Sequence, residues 1–158
     1  MTMRLGVFVG AFLCSAATAA TAGTLLLDGE ISQSVSITDE EFSKLPHVVL
    51  QLKDQNGQIL NYSGVELSYL LSLAKVPIKQ ALKGQDINKY ILASGADGFG
   101  AVFALPEFDS GRYIVADKMN GQALPVADGP LQIVSPDEVR RSRWIKQLIR
   151  INVRKALP

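Results

Sequence analysis

The sequence predicts an α+β fold: a mixed, mostly antiparallel β-sheet domain with short helices. Three observations carry this. Runs with the two-residue alternation of half-buried strands outnumber those with helical spacing, the helical runs are short, and they are too few to act as regular crossovers between parallel strands.

Taken in chain order, residues 1–22 read as a secretory signal: one basic residue (Arg4), an apolar run over residues 5–17, and Ala20-Thr21-Ala22 as a small-x-small cleavage site. Residues 23–158 are then expected to form a single domain. The apolar run is shorter than the roughly 20 residues a membrane-spanning helix needs, and no later stretch approaches that length, so no transmembrane segment is expected in the mature chain. The one cysteine, Cys14, falls inside the signal. Bulky residues precede it, which argues against a lipid-anchor reading.

In residues 31–37, "ISQSVSI" sets Ile31, Val35 and Ile37 on one face of a strand. Thr38 and Glu41 form a capping box that starts a short helix ended by Pro46. Two strand-like runs then flank Asn56-Gly57, a dipeptide suited to a hairpin turn. Ser63 with Glu66 is a second capping-box pattern, ahead of a helical face made by Val65, Leu67, Leu70, Leu71 and Ala74. Residues 79–88 read as loop with a helical turn. "KYILASGADGFGAVFAL" gives two strands around a Gly/Asp bend, and "RYIVA" a third. Ser135-Pro136-Asp137-Glu138 has a cap, a proline and two acids in the order that starts a helix. "LIRINVR" closes the chain as a strand with Ile149, Ile151 and Val153 on one face.

Ordinary catalytic chemistry finds little support. His47 is the only histidine, no nucleophile-elbow pattern accompanies it, and its expected role is structural. With one histidine and no cysteine outside the signal, a transition-metal site built from side chains alone is not expected. The carboxylates Asp97, Asp109, Asp117 and Asp128 match no calcium loop. Gly95, Gly98 and Gly100 lead into a strand rather than a helix, so they serve a bend and not a phosphate loop. Without Arg4 the charges balance, and no global field favours nucleic acid. Arg140, Arg141, Arg143, Lys146, Arg150, Arg154 and Lys155 gather near the C-terminus, where they could face an anion or an acidic partner, although a solvated outer face is the plainer reading. Trp144 among these arginines serves either to stack on a base or as a core anchor beside Ile145 and Leu148.

"YSGVELSYLLSLAKV", "ASGADGFGAVFALPEF", "IVADKMNGQALPVADGPLQIVSP" and "RWIKQLIRINV" follow one another in an order that resembles the oxidoreductase molybdopterin-binding domain, the catalytic domain of sulfite-oxidase-like proteins. The resemblance covers roughly residues 50–153 and looks like a short, stand-alone, exported version of that domain. It implies a molybdenum held by a pterin dithiolene and one cysteine thiolate near the strand before the "GVELSYLL" helix. That region contains no cysteine here, and Gln51, Asp54 or Asn56 cannot replace a thiolate. Where the family often has a histidine and an arginine around its "GxPLR" segment, this chain has Asp128 and Gln132. Lys146 matches a lysine that contacts the pterin in the enzymes. "MTMRLG" also lacks the twin arginines of family members exported with their cofactor already in place.

The expectation is an exported, periplasmic, non-catalytic binding module with no cofactor, whose former cofactor cleft is lined by Lys146, Asp128, Asn120, Gln132, Asp97 and Phe99. Its partner would be a small ligand or a membrane-associated protein, a sensor-accessory role being one version of this. Molybdopterin enters only if the family activity is retained, which would make the chain an oxidoreductase. A third reading is a structural subunit of a membrane redox complex.

Overall fold

A computed structural model of the chain describes residues 23–156. The expected signal over residues 1–22 lies outside them. Two five-stranded sheets make up the fold. The first has the order β2-β1-β10-β5-β6 and the second β3-β4-β7-β8, with β9 also paired to β7. The strands are β1 (Thr24–Gly29), β2 (Val35–Thr38), β3 (Val48–Lys53), β4 (Ile59–Glu66), β5 (Lys89–Gly95), β6 (Gly100–Ala104), β7 (Ile114–Met119), β8 (Gln122–Ala123), β9 (Gln132–Val134) and β10 (Leu148–Lys155). The helices are α1 (Asp39–Ser43) and α2 (Leu67–Leu73), joined by short 3₁₀ turns that include Lys79–Ala81 and Gly84–Asn88 in the stretch read as loop. β1 and β10 run parallel, and the other strand pairs among the described residues are antiparallel. The expected fold class is the one observed.

The local signals hold where nothing distant competes. Thr38 caps α1: its hydroxyl accepts from the Glu41 N–H at 3.2 Å and the Glu41 carboxylate accepts from the Thr38 N–H at 2.9 Å. That backbone bond, with the Thr38 hydroxyl, holds the Glu41 carboxyl below its usual range. β3 and β4 form the expected hairpin, and Gly57 supplies the positive φ of 81°. Asp54 organises the turn, its carboxylate accepting from the N–H groups of Asn56 and Gln58, each at 2.8 Å.

Four expectations fail, each because tertiary pairing overrides a local pattern. The strand read over residues 31–37 covers only Val35–Thr38; Ile31 packs half-buried against the core from a bend. The missing length is supplied by β1, "TLLLDG", which the sequence reading passed over and which buries Leu25 and Leu27 completely. Ser63 does not cap a helix. It lies in β4, which stays extended through Glu66 because Gly64, Val65 and Glu66 pair with Ala116, Val115 and Ile114 of β7. A side chain at Gly64 would put its Cβ 2.1 Å from the Val115 carbonyl oxygen, so the close strand approach requires glycine. α2 begins one residue later and buries Leu67, Leu70 and Leu71 as its spacing predicts.

Ser135-Pro136-Asp137-Glu138 makes a turn and no helix. Its acids are drawn into ion pairs outside the turn, Asp137 to the distant Arg112 at 3.0 Å and Glu138 to Arg143 at 2.7 Å. In β10 a register shift between Leu148 and Arg150 displaces Ile149, which is 45 % exposed. Leu148, Ile151 and Val153 therefore face inward, in place of the expected Ile149, Ile151 and Val153.

The main core joins β1, β5, β6, β10 and α2 and includes Leu25, Leu70, Ile91, Phe103 and Ile151. A second, smaller cluster of Leu52, Tyr62, Ile114, Ala116, Leu124, Val134 and Trp144 lies against β4, β7 and β9. Successive strand residues point to opposite faces, and β9 divides accordingly: Ile133 enters the main core while Val134 enters the second cluster. No helix among the described residues is long and apolar enough to cross a membrane.

Candidate functional site

Three segments meet where the chain enters β10. The Ala96 N–H donates to the Gln147 carbonyl at 2.9 Å, the Gln147 N–H to the Asp128 carbonyl at 2.8 Å, and the Leu148 N–H to the Leu131 carbonyl at 2.8 Å. The bend over residues 95–99, the loop over residues 126–131 and the entry to β10 are thereby tied together. Contact is close: a Cβ at residue 95 would stand 2.4 Å from the Lys146 carbonyl oxygen. Over this junction the Lys146 ammonium lies 2.6 Å from the Asp128 carboxylate, with the Asp128 side chain 24 % and the Lys146 side chain 51 % exposed.

Beside the ion pair lies the second cluster. Tyr62 and Trp144 meet edge to face with ring centres 5.8 Å apart, and the Arg141 guanidinium covers Trp144 at 4.8 Å. Arg141 is steered there by donating to the Lys53 carbonyl at 2.6 Å. Burial pushes the Tyr62 phenol up from its ordinary value; the Asp128 charge adds to this, and Arg141 and Lys146 oppose it. The phenol thus lies in the field of all three charged groups. Gln132, on the same face of β9 as Val134, is 3 % exposed, and its Oε1 has no hydrogen-bond partner. Trp144, 7 % exposed, leaves its Nε1–H equally unpartnered. An unpaired buried polar atom costs about 1–3 kcal/mol, so the packing beside the ion pair holds two unmet hydrogen-bonding groups, one acceptor and one donor.

The six residues expected from sequence separate into two groups. Lys146 and Asp128 pair directly, and Gln132 stands on the strand that leaves the same loop. Asp97, Phe99 and Asn120 serve turns. The Asp97 carboxylate accepts from the Phe99 N–H at 2.9 Å, and Phe99 is 51 % exposed. Asn120 adopts a positive φ of 51° and clasps Asn61, its Oδ1 accepting from the Asn61 N–H at 2.9 Å and its own N–H donating to the Asn61 carbonyl at 2.7 Å. No side-chain bond joins these three to the Lys146–Asp128 pair among the described residues.

Tyr62 and Arg141 were missed as site residues. The signal for Tyr62 is its place on the inward face of "ILNY"; Arg141 was visible only as one of a basic cluster, because its position depends on a carbonyl 88 residues away. Trp144, open to two readings from sequence, is a core anchor, with the Arg141 guanidinium over its ring.

His47, expected to be structural, stands half-buried just before β3 with Phe42 edge-on to its ring. Its Nδ1 lies 2.7 Å from the Leu45 carbonyl, and its Nε2 lies 3.2 Å from the Asp117 carboxylate without a hydrogen bond between them. Asp117 also lines a cavity of about 230 Å³ with Asp39, Phe42, Leu124, Pro130 and Leu131.

The residues do not fit a molybdenum ligated by the polypeptide. Residues 23–156 contain no cysteine, and among them no three His, Cys, Asp or Glu side chains gather as a metal site. In the β3–β4 region, where the resemblance implies a thiolate, the Asp54 carboxylate is occupied by two backbone N–H groups. A hard, already bonded carboxylate is a poor substitute for a soft sulfur ligand.

No curated protein matches the sequence. Among solved structures, the crystal structure of the sulfane dehydrogenase SoxCD from Paracoccus pantotrophus is similar, with a TM-score of 0.67 and 21 % sequence identity, covering 83 % of this chain. This chain spans 38 % of that one, so the likeness is one of fold. The family model described as the oxidoreductase molybdopterin binding domain matches residues 19–157. With nearly its whole length inside that match and the same mixed-sheet fold, the chain belongs to the oxidoreductase molybdopterin-binding domain family.

Proposed function

We propose that this domain is a non-catalytic binding module of its family, acting in the periplasm after export, with a small ligand or a segment of a partner protein in the cleft beside Lys146. The observation that carries this is the Lys146–Asp128 ion pair at 2.6 Å. The resemblance makes Lys146 the pterin-contacting lysine, and here a carboxylate neutralises it at the point where an anionic cofactor would need its charge. The absent thiolate supports the same reading from the metal's side. Tyr62 and Trp144 form an aromatic pair beside the ion pair, and the unpartnered Gln132 Oε1 and Trp144 Nε1, now buried, are the polar atoms a ligand would satisfy.

The test is elemental and pterin analysis of protein exported through its own leader in a host that makes molybdopterin. Molybdenum and fluorescent pterin oxidation products are expected at background level. Stoichiometric molybdenum would instead establish a cofactor-dependent oxidoreductase.

A further inference from the structure

The first turn of α1 carries three consecutive acids, Asp39, Glu40 and Glu41. Glu41 belongs to the capping box, and Glu40 pairs with Lys44 at 2.6 Å. Asp39 is held differently. Its carboxylate accepts from the main-chain nitrogen of Gly23 at 2.8 Å, and its own N–H donates back to the Gly23 carbonyl at 3.3 Å. No lysine, arginine or histidine among the described residues forms an ion pair with it. Residue 23 must be small for this approach, since a Cβ there would stand 2.8 Å from Asp39 Oδ1. Immediately before Gly23 stands Ala20-Thr21-Ala22.

We propose that the Ala22–Gly23 bond is the processing site and that Asp39 is the receptor for the α-ammonium group released there. The inference rests on the export reading given above. Hydrolysis by a membrane peptidase adds water across the Ala22–Gly23 C–N bond. The leader departs with the new Ala22 carboxylate, and Gly23 keeps the amine, which takes up a proton at neutral pH. A single amide hydrogen bond thereby becomes an ion pair at the start of β1. Asp39 gains a cation, and maturation fastens the start of β1 to α1.

The experiment uses protein recovered from the periplasm with its own leader encoded. N-terminal sequencing and intact mass are expected to give Gly23 as the first residue. Any other first residue overturns the proposal while leaving export intact; a chain that keeps its leader overturns the export reading, and the proposal with it. The processed protein is then melted beside the same protein acetylated at Gly23 alone, which removes the charge and keeps an N–H donor. The free amine is expected to melt higher by about 2–4 °C, and Asp39→Asn is expected to abolish that gap. A gap that persists in Asp39→Asn, or no gap in the parent, overturns the pairing.

Discussion

Gln132 and Trp144 carry the clearest residue-scale consequence. Each is almost wholly buried with one polar atom unpartnered, so the polar atom opposes stability while the rest of the side chain supports it. Gln132→Leu keeps the volume and removes the unmet acceptor, and it is expected to raise stability by about 1 kcal/mol. Trp144→Phe removes the unmet donor and part of the ring, with an expected change within about 1 kcal/mol, whereas Trp144→Ala empties the site and should cost about 3–5 kcal/mol. Urea unfolding of the three variants checks the order. A large loss in Trp144→Phe would mean that Nε1 has a partner in solution, and the same would hold for Gln132→Leu and Oε1. Residues whose stability optimum lies elsewhere are the ones to examine for binding. Their readability from sequence was uneven. Gln132 stood out as an amide where the family has an arginine, but nothing local shows that its oxygen is left without a donor.

Among elements, those built from neighbouring residues were legible and those built by distant pairing were not. The Thr38 capping box and the β3–β4 hairpin close over a few residues, and both formed as the sequence predicts. The Ser63 pattern is chemically as good as that of Thr38, yet the β7 ladder holds its backbone extended. Asp28 shows what such distant pairing contributes. Arg150, on the parallel neighbour β10, grips its carboxylate with Nε to Oδ1 at 3.0 Å and Nη2 to Oδ2 at 2.7 Å, while Asn152 donates to Oδ1 at 2.7 Å. The Arg150 hydrogen bonds, aided by Asn152 and opposed by burial, hold the Asp28 carboxyl below its usual range. A carboxyl more acidic in the folded than in the unfolded chain stabilises the fold above its unfolded value near 4, and that contribution drains away as the pH falls through the lower, folded value. Asp28→Asn is therefore expected to lose about 1 kcal/mol at pH 7 and to converge with the parent in strong acid. Paired thermal melts from pH 7 to pH 2 check this; a difference that stays constant across the range would refute the linkage.

At the scale of the whole molecule, the two ends of the chain make one sheet. β10 sits at its centre, parallel to β1 through Leu26↔Arg150 and Leu27↔Ile151 and antiparallel to β5 through Ile151↔Ala93 and Val153↔Ile91. Periodicity marks β10 as a strand but does not say which strands it joins, and that pairing spans more than 120 residues. The same strand fixes the candidate site, because Lys146 and Gln147 are held at its entry by Asp128 and Ala96. Removing residues 148–158 would separate β2-β1 from β5-β6 and uncover Leu25, Leu27, Ile91 and Ala93, all fully buried in the intact chain. Losing burial of Leu148, Ile151 and Val153 alone costs about 1.5–3 kcal/mol each, against a total stability for a domain of about 5–15 kcal/mol. The truncated chain is therefore expected to show no cooperative transition in a far-ultraviolet circular dichroism melt. A retained sharp transition would place the folding core in the second sheet and make the junction at β10 an accessory to it. Loss of the transition would instead tie the geometry of the Lys146–Asp128 junction to the pairing of β1 with β10.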